Sequence, residues 1–162
     1  MPRVVMNFVL VFVAVLAGLF VFGRLSGKKN PVPPLQQVQD FGVGQIRARR
    51  DALTVGFRLA DGAKTAWAEY YSNTGKLPTG NEEVGLQPAN AYHGKSIRAI
   101  AVSEAGVTVT YDETTGIDGG RVLFEAQTQA DAGSVTWKCV TSSYRDIKML
   151  APGCEYTGQS AP

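Results

Sequence analysis

The sequence predicts an α+β domain in which one long amphipathic helix lies on an antiparallel sheet. Three observations carry this reading: a helical apolar period from about Gln45 to Tyr71, four β-branched alternating runs between Ser96 and Val140, and their order, helix first and meander after it. The chain has 162 residues, and a part of roughly 130 residues is large enough to bury a core of its own.

The first element stands apart from that domain. Between Arg3 and Arg24 runs VVMNFVLVFVAVLAGLFVFG, in which Asn7 is the one clearly polar side chain. At about 1.5 Å per residue, some 20 helical residues span a hydrocarbon core of about 30 Å, so residues 1–23 are expected to form a retained transmembrane anchor. Val21 and Gly23 would tolerate a signal-peptide cut, but the run exceeds the roughly 7 to 15 apolar residues of such a segment. Arg3 on one side and Arg24, Lys28 and Lys29 on the other give a small positive-inside bias towards a cytoplasmic domain. Cys139 and Cys154 argue the other way. They are the chain's only cysteines, and such a pair suits a single structural staple in an oxidising compartment, while spacing alone leaves two reduced thiols open.

Residues 24–44 follow as a linker containing Pro31, Pro33, Pro34 and three glycines, because proline lacks the N–H that a continuous helix needs. The domain proper is expected over 45–162. Along QIRARRDALTVGFRLADGAKTAWAEYY, steps of 100° put Ile46, Leu53, Phe57, Ala60, Ala63, Trp67, Tyr70 and Tyr71 on one face, and Arg47, Asp51, Arg58, Asp61, Thr65 and Glu69 on the other. Asn73, Gly75 and Pro78 end the helix. Asn73 to Gly94 has no period and reads as a long loop. Ser96 to Val102 and Val107 to Asp112 then form a hairpin around Ser103-Glu104-Ala105-Gly106, and Arg121 to Gln129 and Ser134 to Val140 form a second around Asp131-Ala132-Gly133.

The chemistry-bearing residues exclude more than they suggest. With 16 Lys and Arg against 14 Asp and Glu the net charge is +2, so nucleic-acid binding by bulk charge is ruled out. Two cysteines and one histidine leave too few soft ligands for a protein-only zinc site, and no cofactor is expected. His93 precedes Ser96 closely, yet there is no second histidine, no Gly-x-Ser-x-Gly elbow and no placed acid, so it reads as a loop residue. Asp112 to Gly120 spaces oxygens as a calcium loop does. Its twelfth position, Leu123, cannot supply the bidentate carboxylate, which leaves a β-connection turn. The cluster Arg47, Arg49, Arg50, Arg58 and Lys64 is a candidate nucleic-acid contact, but Asp51, Asp61 and Glu69 lie within i,i+3 or i,i+4 reach and give a mixed field.

In combination, LADGAKTAWAEYYSNTGKLPTGN, SIRAIAVSEAGVTVTY and GSVTWKCVTSSYRDIKMLAPGC resemble the globular domain of type IV pilins, in order and spacing, over about Gln45 to Tyr156. The resemblance implies a long amino-terminal helix on a four-stranded antiparallel sheet, preceded by the separate membrane helix. It pairs Cys139 with Cys154 in the family's carboxyl-terminal disulfide loop, and closing a loop of that size constrains the unfolded chain by roughly 3 kcal/mol. This loop and the one after the helix are subunit-contact and recognition edges in the family. We therefore take Arg47, Arg50, Arg58, Lys64, Tyr144, Arg145 and Lys148 as the expected interaction surface. Family members open with a basic leader cut after glycine and then Phe-Thr-Leu-Ile-Glu, whereas no acidic residue precedes Asp40 here. The expectation is a pilin head on a substituted anchor: a single-pass inner-membrane protein with a periplasmic domain, non-enzymatic, meeting pilins or the pilus assembly machine as accessory subunit or mimic. A DNA or surface-ligand recognition module and a phage-exclusion decoy are the alternatives.

Overall fold

The computed structural model describes residues 34–129 and 134–158; the expected anchor, residues 1–23, lies outside them. Contacts divide the chain into Met1–Gln39 and Asp40–Pro162, and the core belongs to the second unit. Among the described residues no helix is long and apolar enough to cross a membrane.

Helix α1 spans Pro34–Thr74, 41 residues. It begins well before Gln45, which corrects the start given by the apolar period and turns the last part of the expected linker into helix. Pro34 is no obstacle at the first helical position, where its N–H would be unpaired anyway and its fixed φ is already helical. Gly42 and Gly44 each cost about 1 kcal/mol relative to Ala, which weakens a helix without stopping it. The far end is as expected: Gly75 takes the left-handed conformation at φ 68° and its N–H reaches the Tyr71 carbonyl at 2.8 Å.

Strands β1 (Ile97–Ser103), β2 (Gly106–Tyr111), β3 (Arg121–Thr128) and β4 (Val135–Thr141) form an antiparallel meander. After a short helix α2 (Ile147–Leu150), strand β5 (Cys154–Tyr156) returns beside β4 and runs parallel to it. The sheet order is β1-β2-β3-β4-β5. It is thus five-stranded with one parallel pair, a correction to the expected four antiparallel strands. Three residues are too few to show an alternating pattern, and a parallel neighbour needs a crossover of about a dozen residues, supplied here by 142–153.

The core is the face that α1 covers. Leu53, Ala60, Ala63 and Trp67 from the helix meet Ile97, Ile100, Val102, Val107, Val109, Tyr111, Val122 and Phe124 from the sheet. The Trp67 indole N–H donates to the Ser103 carbonyl at 2.9 Å, and its ring stacks on Tyr71 and meets Trp137 edge-on. The closest approach is at Gly56. A Cβ there would strike the Tyr111 ring, whose hydroxyl donates to the Leu53 carbonyl at 3.0 Å. The β1 edge is covered by Asn81 from the loop after α1. Its amide donates to the carbonyls of Gln87 (2.8 Å) and Ile100 (2.9 Å), and its oxygen accepts the Val102 N–H at 2.7 Å.

One substitution should therefore have opposite signs at two points of the same helix. Gly62 has open space where a Cβ would go, so Gly62→Ala should stabilise the domain by about 0.5 to 1 kcal/mol. Gly56→Ala must push Tyr111 aside and should destabilise by about 1 to 3 kcal/mol. Urea unfolding of both variants checks this, and equal signs would deny the close approach.

Candidate interaction surface around the closed loop

The loop that closes the sheet is fastened at several points. Cys139 and Cys154 are paired residues of β4 and β5, joined by a disulfide with Cα atoms 4.5 Å apart. Lys138 and Glu155 pair at 2.9 Å beside it, their hydrogen bond raising the lysine pKa and lowering that of the glutamate. Within the loop Tyr144, Ile147 and Leu150 are buried.

Tyr144 belongs to the core and not to the recognition surface assigned to it from sequence. Its ring meets Tyr111 edge-on at 6.3 Å, its hydroxyl shares a 2.6 Å hydrogen bond with the Thr115 hydroxyl, and Thr115 in turn donates to the Asp112 carbonyl. Burial raises the Tyr144 pKa, against which the Thr115 hydrogen bond and the Arg49 charge pull it down. Burial also pushes the Tyr111 phenol far up, with Tyr144 adding to the effect.

Arg49 ties α1 to two loops at once. Its Nε donates to the Thr115 carbonyl at 2.8 Å, and its two Nη atoms grip the Asp146 carboxylate at 2.6 and 3.2 Å. One residue on, the Arg50 guanidinium donates to the Met149 carbonyl at 2.7 Å. These contacts place exposed Arg50 of α1 against the loop that bears exposed Arg145 and Lys148, and exposed Arg47 lies about one turn earlier on α1. Arg58 is exposed two turns further along α1. Lys64 is drawn off this surface: its ammonium pairs with Asp61 at 2.7 Å and sits 4.8 Å from the Phe124 ring centre.

His93 is exposed, with Nδ1 at 2.9 Å from the Asn90 carbonyl. Asp112 spends a carboxylate oxygen on the Thr114 N–H within its own turn, and among the described residues no three metal-binding side chains converge. A shallow groove of about 520 Å³ lies between α1 and Trp137, and its Asp61 and Lys64 are already paired with each other. Sequence reading passed over Asp146, Thr115 and Asn81. The Arg49 contacts join residues 66 and 97 positions apart, and no local pattern announces such a pairing.

The family model described as pilin, a bacterial filament protein, matches residues 50–155. The chain is 32% identical over 120 residues to the fimbrial protein EcpC of Eikenella corrodens, an overlap covering 70% of this chain and 74% of that one. It is 32% identical over 108 residues to the type IV major pilin protein PilE of Neisseria gonorrhoeae, covering 63% and 64%. With a fimbrial protein of Neisseria meningitidis serogroup B it shares 32% over 115 residues, covering 69% and 66%. The overlap thus spans about three quarters of the first relative and just under two thirds of the other two.

The loop fastening should be measurable. A double-mutant cycle of Arg49→Ala with Asp146→Ala should give a coupling of about 1 kcal/mol, the upper range for a partly exposed pair with two-point geometry. No coupling would mean that the loop holds its place without the ion pair. A second expectation concerns alkali. Tyr111 and Tyr144 ionise above the ordinary value of about 10 in the folded domain, whereas the unfolded chain ionises near it. The stability they contribute is complete below about pH 10 and is lost as the pH rises beyond it. Phenolate absorbance should show two of the six tyrosines ionising at higher pH than the rest; six ionising together near pH 10 with the fold intact would contradict their burial.

Proposed function

The chain belongs to the pilin family, and from that premise we propose that it is a membrane-anchored pilin-like protein that meets pilins or their assembly machine as an accessory subunit or mimic. The relatives carry the names of fimbrial and type IV pilin proteins, and their domain is a structural one. The observation that carries the reading is the pairing of a pilin head with a different stalk. The head has the helix on the sheet and the disulfide-closed loop. Before it, the apolar run Val4–Gly23 contains no carboxylate, so it offers no acidic partner for a neighbouring subunit's amino group inside a filament. An ion taken among packed apolar helices without a partner loses several kcal/mol of solvation, so a chain of this kind is poorly suited to repeat along a filament core. Its head can still present the same edges to pilins from the periplasmic side of the inner membrane.

Fractionation tests this. The protein should remain in the inner membrane with its apolar run uncut, be missing from sheared surface filaments, and crosslink there to pilins or assembly proteins. Recovery as a repeating filament subunit would return it to the ordinary pilins.

A further inference from the structure

The positive charge at one corner of the domain is not used up within it. Val43, Arg47 and Arg50 follow one stripe of α1 at i, i+4 and i+7, all exposed, and Arg58 continues that stripe. The Arg50 contact with the Met149 carbonyl carries the stripe onto the loop bearing exposed Arg145 and Lys148. The carboxylates expected to offset the helix cations do so little: among the described residues the ion pair formed within α1 is Lys64 with Asp61. On the loop side, Asp146 is held by Arg49 and Glu155 by Lys138. Arg47, Arg50, Arg145 and Lys148 have no ion-pair partner among the described residues, although the charge of Lys148 helps to lower the Glu155 pKa after the larger effect of Lys138.

Large apolar side chains are exposed among these cations. Met149 is 57% exposed and Val43 56%, and Ile117 is exposed beside the turn that Arg49 grips. Cations interspersed with exposed apolar side chains suit the boundary of a bilayer, where the cations meet phosphate and the apolar groups reach the first acyl carbons. A nucleic-acid backbone gives such apolar groups nothing to enter. Chain length agrees. Residues 24–33 span at most about 35 Å in any conformation, and the helix from Pro34 to Arg47 adds about 20 Å. A domain so tethered sees the membrane at an effective concentration in the millimolar range, where individually weak contacts suffice.

We infer that the corner formed by Arg47, Arg50, Arg145 and Lys148 with Val43 and Met149 docks on anionic phospholipid headgroups, holding the head down on the membrane that bears its anchor. The inference rests on the anchored reading given above. Each cation near an anionic surface contributes a factor of about five, so removing two should shift the docking equilibrium about thirtyfold. Among the described residues the exposed side chains of Arg145 and Lys148 donate no hydrogen bond, so exchanging them for Ala should cost the fold little.

The test uses the full chain carrying Met149→Trp, reconstituted into vesicles of phosphatidylcholine alone or with phosphatidylglycerol, both containing nitroxide-labelled lipid. Emission from the new indole should be quenched in the phosphatidylglycerol vesicles, released by high salt, and released again in the Arg145→Ala/Lys148→Ala background. Equal quenching in both vesicle types, or quenching indifferent to the double substitution, overturns the docking. Release by duplex DNA at constant ionic strength would assign the corner to nucleic acid instead. Extraction of the chain from the vesicles by alkaline carbonate would refute the anchor, a result independent of whether the quenching depends on phosphatidylglycerol.

Discussion

The architecture depends on how closely α1 can approach the sheet, and that distance is set where a side chain is missing. At Gly56 the ring of Tyr111 passes against the helix backbone and its hydroxyl reaches the Leu53 carbonyl. A buried phenol without an acceptor would cost on the order of 1 to 3 kcal/mol, so the contact fixes both distance and rotation of the helix. Ala60 and Ala63 keep the next turns close, and Trp67 fills the space that opens at the far end. Tyr111 also touches Tyr144, so the same seam positions the disulfide-closed loop.

The loop therefore does not hang from its disulfide alone. Tyr144 is inserted into the core, Arg49 holds Asp146, and the covalent bond fastens the last strand. Rigid placement has a use in recognition, because a surface ordered in advance loses less freedom on binding. The arrangement also sorts the cations. Arg49 and Lys64 are committed to holding the fold, whereas Arg47, Arg50, Arg145 and Lys148 form no ion pair among the described residues.

Much of this was legible in the sequence where a period repeats. The helix face from Leu53 to Trp67 and the four meander strands follow from apolar spacing, and they appear where spacing puts them. The early start at Pro34 was hidden because proline forbids a helix interior yet suits a first turn. Strand β5 was hidden by its shortness, and Tyr144 by its setting, since a tyrosine among serine, arginine and aspartate reads as surface until the pocket made by Thr115 and Gly120 is seen. Of the expected surface, Lys64 and Tyr144 were lost to long-range contacts with Phe124 and Thr115 that helix-wheel reasoning does not contain.

Asn81 has a consequence for how copies of such a domain can join. An open sheet ordinarily offers its outermost strand as a template, and a foreign strand can add to it by main-chain hydrogen bonds alone, whatever its side chains. On β1 the Ile100 carbonyl and the Val102 N–H are already answered by one amide side chain from the chain's own loop. Assembly at that edge cannot proceed by strand addition without first breaking these bonds. Joining must then be written in side chains, which can discriminate between partners where a bare backbone cannot, and this favours ordered association over indiscriminate aggregation.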